Sequence, residues 1–210
     1  EKAISAKDKF ERITPANFDG TIYYLINTSN VNSNFKVKQC DISNKAQFSM
    51  LDSAVKALSV APYTIKGVSI MGYASPDGTE KINTDLAANR SKSSAKYMAD
   101  AMAKMINKDR KPKERVKISA DSSLFTLSTT NEDWAGFQTL MQASDMSQKD
   151  MILRIVASNS DVEAREMEIK KMGKEYTEIA DNVLPKLRRS AITINADKVG
   201  RSDEQISALA

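Results

Sequence analysis

One turn and the helix that follows it carry the side chains best suited to ligand binding in this 210-residue chain. Residues 75–78 read Ser-Pro-Asp-Gly, a strong turn sequence in which serine, proline and glycine each suit their positions. Asn83 and Arg90 follow at a spacing of two helical turns, which puts them on the same side of a helix. Backbone N–H groups at the start of that helix favour anions. We therefore expect Ser75, Asn83 and Arg90 to converge where the preceding strand ends.

Each of these residues also has a purely structural interpretation. Asn83 can cap the helix, Ser75 can open the turn, and Asp77 can face water. Arg90 can form an internal salt bridge with Asp77 or Asp85. However, Arg90 lies beside the apolar stripe of the helix rather than opposite it, so a structural role explains it least well.

Composition excludes most catalytic chemistry. The chain has no histidine, which removes the commonest general base and the commonest metal ligand. Cys40 is the single cysteine and is expected to be a small buried residue, and no pair of carboxylates stands out as an acid and base. We predict a protein that is not an enzyme and that has no metal site and no cofactor. The basic run at residues 108–117 lacks aromatic residues, so it indicates a solvated loop rather than a nucleic-acid site.

Hydrophobic patterns predict strands and helices that alternate through the first half of the chain. Apolar residues with strand character predict four strands, at residues 20–29, 65–73, 115–121 and 190–196. Helical periodicity predicts helices at residues 45–58 and 84–106. Helices that cross between strands imply at least partly parallel pairing. The expected fold is α+β, in the order βαβαβ-β, with a mixed four-stranded sheet and the helices on one face.

Between the third and fourth strands the pattern is wholly helical, from about residue 125 to 186. Start signals at residues 130–133 and 160–163 precede two of three helical segments, and the last is a long helix that closes near Pro185. We expect this helical insert to be a layer packed against the same core as the sheet.

The turn and the helix resemble the motif of the OmpA C-terminal-like domain family. In that motif a strand ends in glycine and an aromatic residue or histidine, followed by threonine-aspartate, glycine, asparagine, leucine and arginine. The matching residues here are Gly72, Tyr73, Ala74, Ser75, Gly78, Asn83, Leu86 and Arg90, with no gap in their spacing. "YYLINTSNV" resembles the first strand of the family, with Asn27 at its end, and "LRRSAITIN" resembles the closing strand with its two arginines.

The resemblance implies non-covalent binding of peptidoglycan, with Arg90 gripping a carboxylate of the diaminopimelate in the stem peptide. Ser75 stands where the family has the aspartate that contacts the ammonium end, and Asp77 is a candidate replacement for that charge. The predicted ligand-binding residues are Arg90, Asn83, Ser75, Asp77, Ala74 and Asn27. Alternatively, the serine marks an envelope scaffold or protein-interaction domain that has lost peptidoglycan binding.

The resemblance also implies a periplasmic location, as part of an outer-membrane-associated protein of a Gram-negative envelope. We assign residues 1–19 to a lead-in, 20–197 to the OmpA-like domain and 198–210 to the start of a linker or further domain, because a helix start at Ser202 is followed by so few residues. Other envelope proteins are the expected partners of the helical insert. No run of residues is apolar enough for a membrane span, and no nucleic-acid partner is predicted.

Overall fold

A computed structural model describes residues 13–200. The strands are β1 (Ile13–Tyr23), β2 (Lys36–Val37), β3 (Ile42–Ser43), β4 (Tyr63–Tyr73), β5 (Phe125–Thr130) and β6 (Arg189–Val199). The helices are α1 (Asn44–Leu58), α2 (Glu80–Ile106), α3 (Trp134–Gln142), α4 (Lys149–Ser158), α5 (Val162–Lys170), α6 (Lys174–Asn182) and α7 (Leu184–Leu187). The helix start noted at Ser202 lies outside the described residues.

Four strands form one mixed sheet in the order β1-β6-β4-β5. The β1–β6 and β6–β4 pairs are antiparallel, and the β4–β5 pair is parallel. A parallel neighbour requires a crossover, which α2 supplies. The predicted α+β class, with its four-stranded mixed sheet, is confirmed. β2 and β3 form a separate two-stranded ribbon.

The sheet buries one face under α1 and α2. Alternate strand residues supply the buried face, all at most 1% exposed: Ile22, Val68, Ile70, Ile192 and Ile194. Leu51 and Val55 of α1 and Met98 of α2 pack against them. The opposite face is polar, with Thr193 donating to Asp19 at 2.6 Å. The period-two alternation of apolar and polar residues therefore gives a sheet with one buried face and one solvent-exposed face.

In the four-stranded sheet, the strand that follows α2 is β5, Phe125–Thr130. The prediction of a strand at residues 115–121 was wrong. Val116 has both backbone groups bonded to the side chain of Asn107, at 2.8 Å from its N–H and 2.7 Å from its carbonyl. Its backbone is therefore unavailable to a neighbouring strand. The helical insert consequently begins at Trp134, after β5, rather than near residue 125.

The first strand and α2 both start earlier than predicted. β1 pairs with β6 along its whole length, from Ile13 opposite Val199 to Tyr23 opposite Arg189. Residues 13–19, assigned to the lead-in, are thus the first seven of the eleven residues of β1, and residues 24–29 lie beyond the strand. α2 begins at Glu80, four residues before the predicted start, so Asn83 lies inside the helix rather than at its cap.

The helical insert has a hydrophobic core of its own, whereas a layer on the sheet core was expected. Its fully buried members include Met141, Ile152, Ile179 and Leu187, and within the described part of the chain the cluster shares no residue with the core under the sheet. The predicted long helix is broken into α5, α6 and α7. Gly173 has φ +63°, a left-handed conformation that ends one helix and redirects the chain into the next.

Candidate functional site

The turn after β4 is held closed by an arginine from the end of the insert. The Asp77 carboxylate folds back and accepts a hydrogen bond from the Ser75 hydroxyl. Arg188, directly before β6, donates to Asp77 Oδ2 at 2.8 Å and to Ser75 Oγ at 3.2 Å. The Asp77 and Arg188 side chains are only 11% and 10% exposed. The charge that Asp77 could have offered to a ligand ammonium is therefore neutralised inside the chain.

The guanidinium of Arg90 lies at the end of β4, just before this turn, and is almost completely buried. It donates from Nε to the Thr28 carbonyl at 3.1 Å, from Nη1 to the Tyr73 carbonyl at 2.8 Å, and from Nη2 to the Leu25 carbonyl at 3.5 Å. The residue as a whole is 1% exposed. The loop after β1 therefore covers the guanidinium and supplies two of its three acceptors.

Arg90 keeps its charge without an acidic partner within ion-pair distance in residues 13–200. Burial lowers the pKa of Arg90 to about 10, and the nearby positive charge of Arg188 acts in the same direction. The group is still protonated at neutral pH. Carbonyl dipoles and the Tyr24 ring, 5.3 Å from the guanidinium carbon, stabilise the cation instead of a carboxylate. Arg90 thus joins α2, the end of β4 and the loop after β1.

Asn83 and Ala74 lie next to the turn but are also engaged internally. Asn83 is 2% exposed, and its side-chain amide donates to the Gly78 carbonyl at 3.1 Å and to Glu132 Oε1 at 3.4 Å. Ala74 is fully buried, and its carbonyl accepts a hydrogen bond at 3.0 Å from the N–H of Asp133. Both residues therefore connect the turn to the segment between β5 and α3.

Asn27 lies in the loop after β1, which covers Arg90. It is exposed and has φ 53°, a left-handed conformation that asparagine tolerates better than most residues. No hydrogen bond joins its side chain to another part of residues 13–200. Its contribution is to the shape of the loop, whose neighbouring carbonyls, from Leu25 and Thr28, face Arg90.

Arg188 and Arg189 connect the insert to the turn, and neither was among the predicted site residues. Arg189 forms an ion pair with Asp133 at 2.7 Å, and its guanidinium lies 4.1 Å from the centre of the Tyr73 ring. Arg188 holds Asp77, as described above. The two adjacent arginines were visible in the sequence as part of the closing-strand motif. Their carboxylate partners were not, because those lie between 56 and 111 residues away in the chain.

A cleft of about 660 Å³ lies beside the turn, between the start of α2 and helix α5. Its walls include the half-buried Trp134 and the exposed Met167. Its charged lining residues are Glu80, Glu132, Glu163, Glu166 and Lys170. Lys170 pairs with Glu166 one turn earlier on α5. The cleft is thus open, partly apolar and negatively charged in balance.

No family model and no curated protein matches this chain. Among solved structures, the chain is similar to the OmpA-like domain of FopA1 from Francisella tularensis subsp. tularensis SCHU S4. The two are 11% identical, the match covers 94% of this chain and 87% of that one, and the TM-score is 0.40. Within residues 13–200 there is no helix of the length and apolarity needed to cross a membrane.

Proposed function

We propose that this chain is an OmpA-like envelope domain that acts as a protein-interaction scaffold and has lost the stem-peptide clamp of the family. The observation that carries the proposal is the state of Arg90, which is 1% exposed and donates to three backbone carbonyls. The motif from Gly72 to Arg90 supports the family, and the internal use of its arginine supports the loss of the ligand.

Energetics favour this closed arrangement over ligand binding at Arg90. A ligand carboxylate would gain a charge-assisted contact worth about 1.5–3 kcal/mol. To reach the guanidinium it would have to displace the Leu25 and Thr28 carbonyls and lift the loop after β1. Each bond lost from a buried acceptor costs about 1–3 kcal/mol unless water replaces it. The exchange therefore gives no net gain to the ligand.

Asp77, the acidic residue available for such a clamp, also has a partner inside the chain. A ligand ammonium would compete for Asp77 with Arg188, which is already bonded to that carboxylate at 2.8 Å in a largely dry setting. Removing one partner of such a shielded pair leaves a buried charge unpaired. In this proposal Ser75, Asp77 and Arg188 serve to fix the insert against the sheet.

The helical insert is the part of the domain that we propose to contact other envelope proteins on the periplasmic side. It has its own core, and it presents large apolar side chains next to the cleft, with Met167 55% exposed and Val162 37% exposed. Apolar side chains rimmed by charges are typical of protein-interaction surfaces.

Peptidoglycan binding at the predicted site is the second candidate. Ser75 and Asp77 belong to one turn, Asn83 donates to its Gly78 carbonyl, and Arg90 donates to the carbonyl of Tyr73, just before the turn. In this alternative the loop after β1 opens and exposes Arg90 to the diaminopimelate carboxylate, while Ala74 and Asn27 line the opening.

Co-sedimentation with purified insoluble peptidoglycan separates the two candidates. The scaffold proposal predicts that the domain stays in the supernatant at every peptidoglycan concentration, like an unrelated soluble protein. Saturable sedimentation that free diaminopimelate reverses would favour the second candidate. In that case Arg90→Lys should weaken binding roughly tenfold, because lysine lacks the planar fork of the guanidinium. Lysine retains the positive charge, so this variant tests recognition with less damage to the fold than alanine.

A further inference from the structure

The positive charge of this protein is concentrated in one loop, far from the candidate site. Residues 104–117, the last turn of α2 and the loop that follows it, are here called the basic loop; they contain seven lysines and arginines and two acidic residues, an excess of five positive charges. The whole chain carries only +4, so the remaining residues sum to one negative charge. The cations are Lys104, Lys108, Arg110, Lys111, Lys113, Arg115 and Lys117.

The basic loop has a defined shape. The side chain of Asn107 bonds both backbone groups of Val116, which ties the two ends of the loop together. Between them a short 3-10 helix spans Pro112–Glu114, and Arg110 donates to the Glu114 carbonyl at 3.4 Å. All seven cations are exposed, and none forms an ion pair within residues 13–200. Their charges are therefore free to act on a partner.

Two exposed apolar residues lie near the two ends of the basic loop, among its lysines and arginines. Ile106 is 38% exposed and Val116 is 41% exposed. Asn107 follows Ile106 in the chain and its side chain binds the backbone of Val116, so both apolar residues belong to the closed base of the loop. An arrangement of aliphatic side chains among lysines and arginines suits the boundary between lipid headgroups and acyl chains.

The basic loop lies at the end of the sheet opposite to Arg90. α2 begins just after β4 and has 27 residues, which span about 40 Å at 1.5 Å per residue. β4 has 11 residues and spans about 36 Å, so α2 returns along the full length of the strand. The loop at the end of α2 is thus separate from the turn, the insert and the cleft.

We propose that the basic loop docks this domain onto an anionic lipid surface. Five excess charges within 14 residues attract the surface of an anionic membrane, and each basic residue near such a surface adds to the attraction. A nucleic acid fits less well, because the loop contains no aromatic side chain on which a base could stack. Ile106 and Val116 add an apolar contact that salt does not screen.

Vesicle flotation tests the proposal with two matched triple variants. One variant carries Lys111→Glu, Lys113→Glu and Arg115→Glu in the basic loop. The control carries Lys36→Glu, Lys38→Glu and Lys92→Glu, three exposed lysines that also lack ion pairs within residues 13–200. Both variants change the net charge by the same amount, and circular dichroism establishes that each is folded.

The wild type should float with phosphatidylglycerol-containing vesicles at about 0.1 M salt, and should not float with pure phosphatidylcholine vesicles. The loop variant should bind roughly 100-fold more weakly, while the control loses less than about tenfold. A further double variant, Ile106→Ser with Val116→Ser, should float at about 0.1 M salt but lose the residual binding that the wild type keeps at about 1 M salt.

Equal loss of binding in the two triple variants would overturn the proposal, because general charge rather than the loop would then be responsible. It would equally be overturned if the loop variant bound like the wild type, or if the wild type bound a single-stranded RNA and not the anionic vesicles.

Discussion

Arg90→Ala is expected to lower the free energy of unfolding by roughly 3–5 kcal/mol, close to the upper end for a single substitution. The change removes a large buried side chain that is 1% exposed and leaves three backbone carbonyls without their donors. It also frees the loop after β1, which the guanidinium ties to α2 and β4. Urea denaturation followed by circular dichroism measures the loss.

Two further variants show whether the loss comes from this contact network. Arg90→Lys retains the charge but can reach fewer of the three carbonyls, so it should recover only part of the lost stability. Arg115→Ala removes an exposed arginine that forms no ion pair within residues 13–200, and should cost less than about 0.5 kcal/mol. An Arg90→Ala protein as stable as Arg115→Ala would contradict the internal role of Arg90.

Gly72→Ala should also lower the stability of the fold, because α2 packs very closely on β4 at this residue. A Cβ atom at residue 72 would lie 2.1 Å from the Ala87 carbonyl oxygen and 2.9 Å from the Ser91 nitrogen. Both atoms belong to the backbone of α2, so they cannot move aside as a flexible side chain could. The helix would have to shift on the sheet, and we expect a loss of about 3 kcal/mol or more.

Gly67→Ala, in the same strand, is the matched control. Among the atoms of residues 13–200, a Cβ atom there would meet only the Leu124 carbonyl oxygen, at 3.5 Å, which is an ordinary van der Waals contact. This substitution should be nearly neutral, or slightly stabilising because alanine loses less conformational freedom on folding. If thermal unfolding showed similar losses for the two variants, the tight packing of α2 on Gly72 would be refuted.

Local sequence patterns were sufficient to predict the elements that have a strongly buried face. β4 and β6 alternate apolar and polar residues along most of their length, and α1 carries an apolar stripe. β5 was missed because it lies at the edge of the sheet, where only Phe125 is buried and its other residues are largely exposed. Residues 115–121 alternate polar and apolar residues as a strand would, but the Asn107 side chain forms hydrogen bonds with the backbone of Val116.

The sequence was sufficient to predict where the candidate site residues lie, but not which partners bind their charged groups. Periodicity and turn chemistry placed Ser75, Asn83 and Arg90 around the end of β4, where the structure has them. Their partners depend on contacts between segments that are distant in the chain, such as the Arg188–Asp77 pair and the carbonyls that cover Arg90. Such contacts leave no periodic signal, so the sequence could not show that the charges are satisfied internally.

Nuclear magnetic resonance can follow the Nε–H signal of Arg90 during a titration with soluble, diaminopimelate-containing stem peptide, and so tests directly whether Arg90 is held by internal partners. The signal can be assigned by its loss in Arg90→Lys. Because Nε donates to the Thr28 carbonyl in a buried setting, we predict a slowly exchanging signal whose position stays constant up to the highest peptide concentration. A saturable shift of this signal would show that Arg90 leaves its carbonyl partners to bind the ligand, and would contradict the proposal that the clamp is internal.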